Sequence, residues 1–416
     1  MIRAHSPSRT PCGHTLIELM IAIVIGLVLI LAAFKVLSSF EGSKRTTTAM
    51  NDALQSGNFG LFQVGELVRS AGSGMAQYAN NVGYGCLFNY TTADGATITD
   101  GKIASWPPSV TGLPSPFAGM VGTTTVPLRM VPALIFNNAT ASVGYTDSAR
   151  STAAQSDAVL LMLGGAGFAE VPIPITSAAT PPVLKSIVGL NVGDWVVGAG
   201  SSVGSACMIS KASKVGGSSP ANWASSSLSL TLTTGNTVGS KTLATADYII
   251  DLGAGTAANF ALFGVDSSSS TLRSIDLLNG ITTSQNIGDD IVYMKAAYQV
   301  DPGSTGTDQW VLAGGSVTSG TNTYSYAATT SGLLAGSSAA NTALLGIKAI
   351  RVALIVRAPI DENINDAQSK TIDFTALSYT LFSGLSVQSA WYPPTTQHYR
   401  YREIETTIPI RNNGLL

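Results

Sequence analysis

The sequence predicts an α+β fold: a long N-terminal helix, half membrane-spanning and half amphipathic stem, packed on a β-rich globular domain. Three observations point there. Residues Leu16 to Phe34 form a 19-residue apolar run whose single charge is Glu18. From Val36 to about Arg69 the apolar residues recur at helical spacing. After Cys86 the chain breaks into short alternating segments separated by turn-rich stretches, as strands do.

Composition narrows the function classes. Of 416 residues 45% are apolar, enough for a sizeable core, which excludes a disordered chain. Only 11% are charged, against an ordinary share of about 25%. The formal net charge is −2 and no basic block stands out, so no nucleic-acid partner is expected. One long apolar run excludes a polytopic membrane protein. Three histidines and three cysteines leave few ligands for a metal site, and no cofactor is expected.

Residues 1–13 are polar and mildly basic, with Arg3, His5 and Arg9, and end in Pro11-Cys12-Gly13. At about 1.5 Å per residue the following apolar run is roughly 28 Å long, close to the hydrocarbon thickness of a bilayer. Lys35 closes it. A secretory signal would have a shorter apolar core, of about 7–15 residues, and a cleavage site such as Ala32-Ala33 could serve. A plain anchor would not carry Glu18, because an ionisable group in a membrane helix costs roughly 2.5–3.5 kcal/mol at its centre and persists where it has a partner.

The segment Gly13-His14-Thr15-Leu16-Ile17-Glu18-Leu19-Met20 resembles the type IV prepilin signal, a short basic leader and a Gly followed by an apolar helix with Glu as its fifth residue. The resemblance implies that a prepilin peptidase cuts between Gly13 and His14 and methylates the new amine of His14. It also makes Glu18 the fifth mature residue, poised to dock against the amine of a neighbouring subunit. His14 departs from the family, which usually has Phe or another apolar residue there. The implied organisation is a leader over 1–13, a transmembrane helix over 14–35, an amphipathic stem over 36–72 and a globular domain over 73–416.

In the stem, Met50, Leu54, Leu61, Val64 and Val68 mark one apolar face. Gly57, Gly60 and Gly65 weaken a free helix by roughly 1 kcal/mol each, so packing on the globular part is expected to hold it. Ala71-Gly72-Ser73-Gly74 reads as the stop. The stretch from Leu54-Gln55-Ser56-Gly57 to Leu67-Val68-Arg69-Ser70-Ala71-Gly72, followed by Gly83-Tyr84-Gly85-Cys86, resembles the PilW family of minor pilins. Cys207, after Gly193-Asp194-Trp195-Val196-Val197, resembles the strand-then-Cys segment of the same family. With the leader removed, Cys86 and Cys207 are the cysteines left to an oxidising compartment, and a bridge between them is expected. Two buried free thiols are the alternative.

Strands are predicted at 157–163, 194–198, 228–233, 247–252, 258–265, 290–300 and 347–357, with a last one near Ile404, Ile408 and Ile410. In 290–300, Val292, Met294, Ala296, Tyr298 and Val300 make one apolar face, and Lys295 and Gln299 point away. Pro409 marks the last strand as an edge or terminal one. Ile291 to Asp301, Ile347 to Pro359 and Arg402 to Asn412 extend the resemblance to the C-terminal part of PilW-like proteins. The Ser/Thr/Gly/Pro-rich stretches 95–155, 210–245 and 302–345 read as loops or decorated hairpins, and an inserted subdomain around 100–250 is possible.

No catalytic constellation emerges, and an enzyme is not expected. Gly198, Gly200 and Gly204 miss the dinucleotide spacing. His398 has no evident acid or nucleophile beside it. Asp289-Asp290 and Asp361-Glu362 read as solvated turns, and the loop Asp301 to Asp308 lacks the calcium-loop spacing. Arg400, Arg402 and Arg411 with Tyr399 and Tyr401 read as a charged sheet edge that deters aggregation.

The resemblance therefore implies a minor pilin, inserted in the inner membrane with its body in the periplasm and then carried into a surface pilus. Its implied partners are the prepilin peptidase, inner-membrane lipid before assembly, the other minor pilins, the major pilin and a tip adhesin. Its implied role is to prime assembly at or near the tip, with adhesion and twitching motility as the outcome. A pseudopilin of a type II secretion system is the alternative, because the same N-terminus serves both.

Overall fold

The structure is a computed structural model that describes residues 15–75, 83–105, 113–118, 120–137, 156–165, 171–216, 228–255, 257–266, 268–302, 306, 308–360, 378–382, 385–388 and 399–410. It divides into two compact units, residues 1–51 and 52–416. A single helix, α1 (Leu16–Ser70), runs through both. No proline interrupts its 55 residues, which at about 1.5 Å each span roughly 80 Å. It stops where Gly72 takes a positive φ of 79°.

In the first unit the large apolar side chains of α1 from Leu16 to Phe40 are bare. Leu16 is 78% exposed and Phe34 65%, and the most apolar stretch has none of its residues buried in the chain. The helix is long and apolar enough to cross a membrane.

In the second unit the stem lies on the globular part. Ala53, Val64 and Val68 are fully buried and Leu61 nearly so, whereas Phe59 and Phe62 on other faces stay exposed. The glycines expected to weaken the stem are where it comes closest to its support. A Cβ at Gly57 would lie 2.5 Å from Val356 Cγ1 and 2.6 Å from Ile404 Cδ1, closer than packed atoms allow, and one at Gly60 would lie 3.0 Å from Leu272 Cδ2. Losing those side chains costs helix propensity and gains close packing on the sheet. Ser56 adds two hydrogen bonds, its hydroxyl donating to the Asp289 carbonyl at 2.9 Å and accepting the Asp289 N–H at 2.8 Å.

The body holds three main sheets of nine, five and four strands among the described residues. The four-stranded sheet has the order Gln309–Leu312, Ile291–Val300, Ile347–Arg357, Tyr401–Pro409, all antiparallel. Pro409 thus sits on an edge strand, where its missing N–H leaves no inner ladder unpaired. The five-stranded sheet runs Gly280–Asp289, Thr271–Asp276, Asn259–Asp266, Ala158–Leu163, Ala133–Phe136. The nine-stranded sheet is built around Leu87–Thr91, Ala206–Val215, Asp194–Ala199 and Tyr248–Ala254, with Leu87–Thr91 and Ala206–Val215 parallel.

Most predicted strands lie within two residues of their observed bounds. Two expectations need correction. From Met294 to Val300 the alternation is as read, but Val292 lies at a register shift and packs with Tyr293, Ala353, Ile355 and Leu381 in a separate core cluster, so the second face is covered too. Lys295 is therefore buried, not turned out to water, and it makes an ion pair with Asp157. The stretch 302–345, whose composition predicts loops or decorated hairpins, holds besides strands an eight-residue helix α2 (Ser338–Leu345). Its signal was the N-cap Ser337, whose side chain accepts the Ala340 N–H, but two turns are too short to show a period.

Candidate functional site

The first candidate site is the head of α1. Gly13 and His14 lie outside the described residues. Thr15 is the N-cap: its hydroxyl accepts the Glu18 N–H at 3.3 Å. In return the Glu18 carboxylate accepts from the Thr15 N–H at 3.2 Å and from its hydroxyl at 3.3 Å. Thr15-Leu16-Ile17-Glu18 is thus a reciprocal capping box, which satisfies orphan donors of the first turn and sets a negative charge at the positive end of the helix dipole. The spacing was legible in the sequence and was missed, because Glu18 drew attention as a charge in an apolar run. The consequence for chemistry is an exposed, oriented carboxylate at the start of a bare apolar rod.

The second is the junction around the cysteines. Cys86 and Cys207 form a disulfide, which excludes the reading as two free thiols; both are buried, their Cα atoms 5.6 Å apart across 121 positions of sequence. The two strands that carry them run side by side, with Phe88 opposite Cys207. Gly85, at φ 70°, lets α2 approach: a Cβ there would lie 2.5 Å from Asn341 Oδ1, and Asn341 Nδ2 donates to the Tyr84 carbonyl at 3.4 Å. Arg129 ties both approaches together, donating to the carbonyls of Gly85 at 2.7 Å and Gly204 at 3.2 Å. The Gly-Tyr-Gly-Cys motif is therefore a packing junction.

The remaining sequence candidates divide in three. His398, Asp361, Glu362 and Arg411 lie outside the described residues. In the loop considered for calcium, Lys348 Nζ stands 3.0 Å from both Asp301 and Asp308, so a side-chain ammonium neutralises these carboxylates. Among the described residues no group of three His, Cys, Asp or Glu side chains is placed to hold a metal. Asp289 is held by the stem through Ser56, and burial raises the Asp290 carboxyl above its ordinary range.

Asp251 is a titratable group the sequence did not mark. It is 1% exposed in Tyr248–Ala254; Oδ1 accepts the Gly253 N–H at 2.8 Å, and Oδ2 has no partner among the described residues. Burial, reinforced by the charge of Asp194, pushes its pKa up to about 7. The folded state thus holds a proton that the unfolded chain releases near 4. Its contribution to stability is full below about pH 4 and is lost as pH rises toward 7, at up to ~1.4 kcal/mol per pH unit. Asp251→Asn is expected to flatten that fall. Urea midpoints of wild type and variant between pH 5 and 8 check it, and parallel slopes would refute it.

Comparison with known families gives two matches. Residues 9–34 match the prokaryotic N-terminal methylation motif, and residues 248–412 match type IV pilus-assembly protein W, PilW. No curated protein and no solved structure matches the chain. The second match takes in the C-terminal strands that carried the resemblance and extends it back to the strand Tyr248–Ala254; the stem motif and both cysteines fall outside it. The chain thus joins an N-terminus similar to the prepilin methylation motif to a C-terminal part similar to PilW.

Proposed function

We propose that this chain is a structural minor pilin of the type IV pilus, without enzymatic activity, that primes assembly and sits at or near the tip. Prepilin peptidase cleaves it after Gly13 and methylates the amine of His14. Before assembly α1 spans the inner membrane with the body in the periplasm. On assembly the bare apolar helix leaves lipid for a core of other pilin helices, an environment of similar polarity, so the transfer carries little solvation cost. The other minor pilins, the major pilin and a tip adhesin are its partners, and adhesion and twitching motility depend on it.

The observation that carries this reading is the joining of an exposed membrane-length helix, headed by a capping carboxylate within a methylation motif, to a PilW-type body. In a low-dielectric filament core Glu18 and the new amine of a neighbour would be weakly screened, and leaving either charge alone is costly, so the pair sets axial register.

Intact mass and N-terminal sequencing of protein from sheared pili test it. The expected chain begins at methylated His14. A mature start elsewhere, or a deletion strain that keeps its pili and twitching but stops secreting protein, would overturn it, the latter in favour of a type II secretion pseudopilin.

A further inference from the structure

Lys295 lies in the middle of Ile291–Val300 and is 6% exposed. Its Nζ stands 2.7 Å from Asp157 Oδ1 and 2.9 Å from Asn137 Oδ1. Asp157, fully buried, precedes the strand Ala158–Leu163, and Asn137 follows the neighbouring strand Ala133–Phe136. An amine, a carboxamide and a carboxyl from three strands of two sheets therefore converge.

The surrounding backbone holds them in register. Asp157 N–H donates to the Met294 carbonyl at 2.9 Å, Asp157 Oδ2 accepts the Ala296 N–H at 3.1 Å, and Ser156 Oγ accepts the Met294 N–H at 3.1 Å. On the Asn137 side, the Ile135 N–H donates to the Tyr298 hydroxyl. A reacting pair fixed at contact distance gains the large effective concentration of an intramolecular reaction.

We propose that Lys295 and Asn137 join in an intramolecular amide bond, with Asp157 as the proton-transfer group. Lys295 and Asp157 are both buried, where a charged pair is costly, and one proton passed from Lys295 to Asp157 gives a neutral amine and a neutral acid. The amine lone pair attacks Asn137 Cγ and forms the new C–N bond, while Asp157 lends its proton to the carboxamide. The bond from Cγ to Nδ2 breaks and ammonia leaves. Of the three Lys295 ammonium protons one stays on the amide, one departs with ammonia and one rests on Asp157. Nothing is oxidised or reduced, and the product leaves no buried charge. The bond would tie the five-stranded sheet to the four-stranded sheet across 158 positions of sequence.

Mass spectrometry of the full chain, extracted in detergent and reduced so that the disulfide holds no fragments together, tests this directly. The expected mass is one ammonia below that of the sequence from its observed N-terminus with the terminal methyl group counted, and proteolysis yields one branched species joining the peptides that contain Asn137 and Lys295. Asn137→Ala, at an exposed position, and Lys295→Met are each expected to lose both signatures, and Asp157→Asn to reduce the linked fraction severalfold. Full mass with two separate peptides overturns the proposal. So does ammonia loss that persists in Lys295→Met, which marks cyclisation of Asn137 on its own backbone, and so does loss of water with a branch at Asp157. If Lys295→Met does not fold, Asn137→Ala alone decides.

Discussion

Cells carrying Glu18→Ala are expected to process the precursor after Gly13 as usual and to show few or no surface pili. The substitution removes two things. One is the capping acceptor for Thr15, worth about 0.5–2 kcal/mol at a helix start. The other is the charge proposed to meet a neighbour's amine; loss of one partner from a buried pair costs about 3–5 kcal/mol. Glu18→Gln separates them, since its carbonyl oxygen can still accept from Thr15 while the charge is gone. If docking is the role, both variants lose pili by shearing and electron microscopy while immunoblots show cleaved protein. Normal piliation in Glu18→Gln with loss in Glu18→Ala assigns the residue to capping, and normal piliation in both removes it from assembly.

Removing the bridge should produce the largest loss of stability in the body. The disulfide closes a loop of 121 positions, for which the chain-entropy account gives about 4–5 kcal/mol. The double variant Cys86→Ser, Cys207→Ser is expected to shift the urea midpoint by that order. The loss should concentrate in the nine-stranded sheet, because the pairing of Leu87–Thr91 with Ala206–Val215 is parallel and has no short connection to support it. Hydrogen exchange of Phe88 to Tyr90 and Met208 to Ser210 should quicken well before that of Met294 to Tyr298. Equal protection in both sheets, or an unchanged midpoint, would sink this account of the junction.

Much of the candidate site was legible because its determinants are local. Membrane-length apolarity, a Gly before the helix and a Glu at fixed spacing are properties of a dozen adjacent residues, and so is the Thr-x-x-Glu cap that went unread. The alternating strands were legible for the same reason: period two is a property of the backbone, whatever lies across the sheet. What alternation does not tell is how many faces are covered. Lys295 occupies the position a solvent-facing residue would, and only the second sheet packed over it makes it a buried cation with Asp157 and Asn137 at contact distance.

The sequence by itself determined the rod, the strands and the turn-rich stretches between them, since each is set by propensity and periodicity within a short window. The tertiary structure alone decided three things. It turned Gly57 and Gly60 from weak points of a helix into its points of closest approach to Val356, Ile404 and Leu272. It laid α2 against the Gly85-Cys86 turn through Asn341, a residue 255 positions further on than Cys86. And it converted an alternating strand into one buried on both faces. The physical reason is common to all three: burial and close packing depend on which distant segments share a surface, and that is fixed only when the chain has closed on itself.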